Sequence, residues 1–446
     1  MIFRQAFFGA VMLGSVTLPT WAEDSLLLHL SRAKEIDPQY LAARASREAA
    51  IEGVGVARSA FGPKVTFSAS AFRVDRIEQS RNFLGETVNN ANSINTQNAQ
   101  IQARQSIYRQ RDWATRDQAA IQLEGAEALF DFAGQELVAR LTDAWITVIA
   151  ARDLVTLYQA TLRVAGDIRS ESESRFKAGE EALQDLEQAR ARFEQASAQL
   201  EDSKARLEIA EIGLRDLAGP QARVPERFTL RGVARLTQAG YTDQQLVSEI
   251  EQKNLEIISA RFQEQVARLE VDKARSDRLP TVDAFAAVTK GQNDQIFNIR
   301  DENRVGLQLS IPLYTHGALA AAIAQADANY RKAQAQARGV LLRARNEGLS
   351  AHASLSPLLA KVAASDRAFT AGVSLQRATQ MGVKAGINTR ADLARATQEL
   401  VAVQRQQIEN RRDYVTAWLK LQRALSALTE PQMEILLTGL SQTKSH

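Results

Sequence analysis

The chain has 446 residues, of which 45% are hydrophobic, only 6% aromatic and 24% charged, with nine prolines and no cysteine. Few aromatics and few prolines point to long helices in thin layers rather than one thick core. The missing cysteine excludes a disulfide framework, a thiol nucleophile, a thiolate metal site and a lipid-bearing cysteine, and a net charge of +3 over this length is close to balance and gives no support for nucleic acid as a partner.

Residues 1–22 read as a signal peptide. Arg4 supplies the positive start, 6–18 is apolar, and Thr20-Trp21-Ala22 ends in a small residue before Glu23 and Asp24. The mature chain is therefore expected outside the cytoplasm. No later segment has the roughly 18 consecutive apolar residues of a membrane helix, so any crossing must use β-strands.

A first repeat is expected over 23–219. It opens with a helix over 25–60, which Pro63 stops. Strands follow at about 64–75 and 97–108, joined by a polar loop over 76–96. Val65, Phe67, Ala69 and Ala71 alternate with Thr66, Ser68 and Ser70; Ala99, Ile101, Ala103 and Ile107 alternate with Gln100, Gln102, Arg104 and Ser106. A nearly unbroken helical pattern covers 113–176, Gly179 turns the chain, and a second helix carries Leu186, Ala189, Phe193, Ala196, Leu200, Ser203, Leu207, Ala210, Leu214 and Leu217 at steps of three and four. Pro220 and Pro225 mark a linker over 220–242.

A second repeat, 243–430, takes the same order. A helix over 244–279 ends at Pro280. Strands follow at about 281–290 and 303–313, with a loop over 291–303; Val282, Ala284, Ala286 and Val288, then Val305, Leu307, Leu309 and Ile311, are the apolar positions. A long helix over 317–383 is interrupted only by Pro357. Gly386 makes the turn, and Leu393, Ala396, Leu400, Val403, Gln407, Asn410, Tyr414, Ala417, Leu421, Ala424 and Leu428 form a second seam. A tail, 431–446, ends the chain.

The two halves match in detail. Lys177-Ala178-Gly179, Asp185-Leu186 and Ala189 recur at identical spacing as Lys384-Ala385-Gly386, Asp392-Leu393 and Ala396. Two heptad seams in one register indicate internal duplication, and each seam calls for coiled-coil packing on a partner helix. At 1.5 Å per residue each long helix is roughly 95 to 100 Å. Gly179 and Gly386 suit the positive φ that ends a helix, so each half is expected to hold one antiparallel helical hairpin. Strands of about ten residues with one apolar and one polar face have the length of tilted bilayer-spanning strands. Any one of them also fits a half-buried hairpin; four, paired, in an exported chain favour a barrel.

No phosphate loop, HExxH, GxGxxG or GxSxG is present. His29, His316, His352 and His446 are far apart and read as helix-surface or terminal residues. No catalytic residue, cofactor or metal site is expected, and the chain does not read as an enzyme.

This order of elements resembles the TolC family of outer-membrane efflux and type I secretion channels. The resemblance rests on Phe176-x-x-Gly179 with Asp185 and Ala189-Arg190-Ala191, and on Gly386 with Asp392-Leu393. Asp37-Pro38 and Ser310-Ile311-Pro312-Leu313-Tyr314 support it. It implies a mainly α fold with a membrane β-barrel: a homotrimer whose 12-stranded barrel stands on a coiled-coil tunnel, in the outer membrane and extending into the periplasm. Outer-membrane lipid would meet Val305, Leu307, Leu309 and Ile311. Gly179 and Gly386 would lie at the tip that meets a periplasmic adaptor (membrane fusion) protein. Asp392 matches the position of acidic residues that narrow the pore; Arg395 stands where some members carry a second acid. Val383 and Asn388 replace the tyrosine and arginine that close some tips, and Arg390 is placed to reach Asp185 there.

The implied function is a passive exit duct, driven through the adaptor by an inner-membrane ABC exporter or proton-driven pump. Type I protein secretion is favoured, because the lipid anchor of dedicated efflux channels needs a cysteine; small-molecule efflux is the alternative. A periplasmic adaptor would have one hairpin rather than two. A soluble coiled-coil scaffold would explain the heptads but not the alternation at 305–313.

Overall fold

The computed structural model describes residues 26–81, 83, 85, 87–226, 228–230, 240–293, 299–429, 432, 433, 436 and 440, so the leader expected at 1–22 lies outside the described residues. In chain order the elements are α1 (Leu26–Ile36), α2 (Pro38–Ser59), β1 (Lys64–Arg81), β2 (Thr87–Tyr108), α3 (Gln110–Lys177), α4 (Leu183–Ala218), α5 (Asp243–Lys253), α6 (Leu255–Ser276), β3 (Thr281–Asn293), β4 (Ile299–Ser310), α7 (Ala318–Lys384) and α8 (Arg390–Ala424). The second six repeat the first six in kind and closely in length: 11 and 22 residues for α1 and α2 against 11 and 22 for α5 and α6, and 68 and 36 for α3 and α4 against 67 and 35 for α7 and α8.

The opening helix of each half is two helices, not one. In the first half Pro38 starts α2, where its missing N–H costs nothing, and Asp37 accepts a 2.8 Å hydrogen bond from the Tyr40 N–H. In the second half Asn254 caps α6, accepting from the Ile257 N–H at 3.0 Å. Conversely, α7 runs through Pro357, which was expected to interrupt it. Leu355 and Val362, 1% and 2% exposed, anchor the helix on both sides of the proline.

The chain forms two compact units. One is helical, taking residues up to 41, 132–253 and from 345 onward. Its centre is Trp145, fully buried, whose indole N–H donates to His29 Nδ1 at 3.0 Å and whose ring meets Phe228 edge-on at 5.2 Å. His29 is thus a core residue and not on a helix surface, a correction to the sequence reading; the surrounding apolar residues of α1 look no different from those of a half-exposed helix. The segment expected as a linker is partly built into this core. Arg152 donates to the Val224 and Phe228 carbonyls, and the Thr229 N–H donates to the Leu440 carbonyl at 2.9 Å. The heptad seams are buried in large part, at Leu186, Ala189, Ala196, Leu200, Ser203 and Leu214 on α4 and at Ala396, Leu400, Gln407, Asn410, Tyr414, Ala417 and Leu421 on α8, while Phe193, Leu207, Ala210, Leu217, Leu393 and Val403 are half-buried.

The other unit, 42–131 and 254–344, contains one antiparallel sheet in the order β1-β2-β3-β4. Its strands are longer than expected at their polar ends. The β1–β2 ladder runs from Lys64↔Arg104 to Arg81↔Thr87, through most of the expected loop at 76–96. Ladder hydrogen bonds satisfy the backbone whatever the side chains, so a polar hairpin continues where sequence alternation has already stopped. At the other end β4 stops at Ser310. Ile311 was expected in the strand and lies beyond it, because Pro312 has no N–H to give the ladder.

Candidate pore wall and hairpin tip

Residues directly opposite in an antiparallel ladder share a face. The register therefore sorts the sheet into rows: Phe67, Ile101 and Val288; Val65, Ala103, Ala286 and Val305; Ala284 and Leu307; Val282 and Leu309. All lie on one face, and the large ones are exposed except Val282, which is half-buried. Val305 is 87% exposed, Leu307 72% and Phe67 69%. A contiguous apolar surface of this kind marks contact with an apolar partner.

The band has edges. Toward the β1–β2 turn, the next row on this face puts Lys290 opposite Asp301, and further along it carries Arg73 and Asp75, ion-paired at 3.1 Å. There the alternation inverts, with Phe72 and Val74 on the opposite face. Toward the helices, Phe61, Tyr108 and Trp113 cluster, with the Phe61–Trp113 rings 5.4 Å apart. Between these limits β1 spends the seven residues Val65 to Ala71, about 20 to 23 Å of strand, on the scale of the roughly 25 Å apolar band of membrane barrels with its aromatic girdles.

The opposite face is mainly polar, with Thr66, Ser68, Gln100, Gln102, Arg104, Asp283, Thr289, Arg304 and Gln308, and with Phe285 and Ala287 as its apolar residues on β3. Arg109 holds both oxygens of Asp283 at 3.0 Å, and Arg104 approaches one of them at 3.3 Å while bonding Gln308 at 3.0 Å. No element type betrays this pairing in sequence, because Arg104, Arg109 and Asp283 come from different halves of the duplication.

At the ends of the long helices, Gly179 and Gly386 have φ of +78° and +74° and turn the chain from α3 into α4 and from α7 into α8. The second turn is the more tightly built. A Cβ on Gly382 would stand 2.0 Å from Asn388 Oδ1, so the Asn388 side chain fills the space that the glycine leaves. Thr389 and Asp392 then form a capping box on α8: Asp392 Oδ2 accepts from the Thr389 N–H at 3.0 Å and its hydroxyl at 2.6 Å, and the Asp392 N–H donates back at 3.2 Å. The first turn has no counterpart, as Ala182 offers no side chain to cap α4.

This cap governs Asp392. The Thr389 hydroxyl and N–H, with a smaller contribution from Arg395 at 3.8 Å, hold its carboxyl below the usual carboxylate range. It remains ionised at neutral pH. Arg390 does not pair with Asp185. It pairs with Glu171 on α3, so the second hairpin is tied to the first through the other helix of that hairpin. Asp185, Arg175, Arg192 and Arg390 instead line a cavity of about 380 Å³.

Among the described residues no group of histidine, aspartate and glutamate side chains could hold a metal, and no helix is long and apolar enough to cross a membrane.

The family model for outer membrane efflux proteins matches residues 29–220 and 246–427, one block for each half of the duplication. The chain is 27% identical to the outer membrane protein TolC of Vibrio cholerae, over 98% of each chain. It is 25% identical to the alkaline protease secretion protein AprF of Pseudomonas aeruginosa, over 91% of this chain and 85% of the relative. In fold it resembles the outer membrane channel CmeC of Campylobacter jejuni, with a TM-score of 0.78 at 15% identity over 99% and 98% of the two chains. The outer membrane protein VceC of Vibrio cholerae gives 0.73 at 20% identity over 90% and 95%.

Proposed function

Because this chain belongs to the outer membrane efflux protein family, we propose that it is the outer-membrane exit duct of a tripartite export system, and that its cargo is protein delivered by a type I exporter. The observation that carries the duct is the sheet: one apolar, uncovered face, one mainly polar face, and two edge strands, β1 and β4, whose outer edges pair with no strand among the described residues. Open strand edges are not tolerated in lipid. Three copies would close them into a barrel of twelve strands, with Val305, Leu307 and Leu309 toward lipid and Arg104, Asp283 and Gln308 toward the lumen. Repeats 23–219 and 243–430 would each give one strand pair and one helical hairpin, with the turns at Gly179 and Gly386 toward an adaptor.

The cargo assignment draws on the likeness to protease secretion proteins, AprF of Pseudomonas aeruginosa and PrtF of Dickeya chrysanthemi. Expressed in cells that lack their own duct but keep a type I exporter and adaptor, the protein should restore protease to the medium. Restored resistance to toxic small molecules without secreted protease would favour efflux instead.

Asp392 is the proposed constriction. Three-fold symmetry makes it a ring of three carboxylates, and a narrow ring of this sign attracts cations. Asp392→Asn keeps an oxygen for Thr389, so the cap and trimer abundance should persist while cation selectivity and multivalent-cation block fall in planar-bilayer recordings. Asp185→Asn should change both much less. Unchanged selectivity in Asp392→Asn would leave that residue only its cap.

A further inference from the structure

At the helix-proximal end of the sheet, Lys64, Arg104 and Arg109 converge on a cleft of about 270 Å³ that also holds Asp112 and Asp283. Lys64 stands directly opposite Arg104 in the β1–β2 ladder, so both belong to the polar face. Like charges in that position repel, and the sheet offsets them unequally. Asp283, 5% exposed, lies beneath Arg104 and Arg109 and is taken up by them. Lys64 is exposed, and among the described residues it has no ion-pair partner. Three cations face two carboxylates, and the better-buried charge is negative, so the surface toward open space is positive.

Clamping Asp283 accounts for the two arginines as a joint between β2, β3 and the start of α3. It does not account for Lys64. A lysine paired against an arginine, with its ammonium in the open, serves the space in front of it.

We propose that this cleft, repeated around the closed barrel, is an anion-attracting ring that selects carboxylate-bearing solutes at the inner end of the barrel lumen. The inference rests on the reading of the polar face as the lumen wall. Rings of lysine and arginine favour anions in pores, and low-dielectric walls focus the field of even one net charge per subunit. The ring has the opposite sign to the proposed Asp392 ring.

The test is planar-bilayer recording with hexaglutamate added on the outer side at low salt. Hexaglutamate should block the wild-type channel. Lys64→Gln, which removes three charges per trimer, should raise the half-blocking concentration roughly tenfold, and Lys64→Arg should leave it near the wild-type value. Asp283→Asn should lower it. A folding defect cannot move the two charge variants in opposite directions. Failure of all variants and of the wild type to form channels would sink the duct reading itself. Normal channels with the same hexaglutamate block in wild type and Lys64→Gln would overturn the ring and leave the duct standing.

Discussion

Arg140→Ala is expected to destabilise the helical unit by about 3 to 5 kcal/mol, the usual cost of stripping one partner from a buried ion pair. Arg140 clamps Asp37 with two bonds of 2.9 Å, and the Asp37 side chain is only 3% exposed. Burial alone pushes the Asp37 carboxyl up. The bonds from Arg140 and from the Tyr40 N–H outweigh it, and the net direction is down. The pair's contribution is therefore fully present above the unfolded carboxylate pKa, about 3.9, and is lost as pH falls through the lower folded value. Without Arg140, only the Tyr40 and Gln39 N–H groups oppose the effect of burial. The variant's deficit, read by denaturant unfolding of detergent-solubilised protein, should be largest at neutral pH and shrink as pH falls toward the carboxylate range. A deficit that stays constant with pH would show that Asp37 is not the source. Because Asp37 both caps α2 and anchors the break between α1 and α2, Arg140→Met with Asp37→Asn should recover part of the loss.

Leu307→Arg should cost about 2 to 4 kcal/mol and sharply lower the assembled protein recovered from outer membrane, since a cation at mid-bilayer depth on the lipid face is penalised by that amount. The register, not the strand's own midpoint, picks out this residue: Leu307 opposite Ala284 lies between the Val305 and Leu309 rows, well inside the polar edge at Lys290 and Asp301. Thr66→Arg, on the other face beside Gln102, should assemble normally. Semi-native electrophoresis of membrane extracts reads both. Equal recovery of the two variants would mean that this sheet does not face lipid.

What could be read from sequence follows from which constraints are local. The heptad seams, the glycine turns and the alternation from Val305 to Leu309 are written in single stretches of chain, and all were legible. The polar parts of the β1–β2 hairpin were not, because residues 87–96 keep their ladder without an apolar face. The cap at Asp37 was visible only as Asp37-Pro38; that Arg140 holds it depends on a residue 103 positions away. At the tip, Asp392 was singled out for the constriction, and its capping box with Thr389 was not foreseen, although Thr-x-x-Asp before a helical run resembles the known capping signal. Arg390 was given the wrong partner because Glu171 and Asp185 flank the same hairpin turn, and only the packing of α3 against α8 chooses between them.

The central claim is that the uncovered apolar face and the free edges of β1 and β4 are completed by two further copies within the outer membrane. Native mass spectrometry of the protein extracted in detergent from purified outer membrane tests it most directly. Three times the mature chain mass is the predicted result. A single-chain mass, with the protein recovered from the soluble periplasmic fraction, would contradict it.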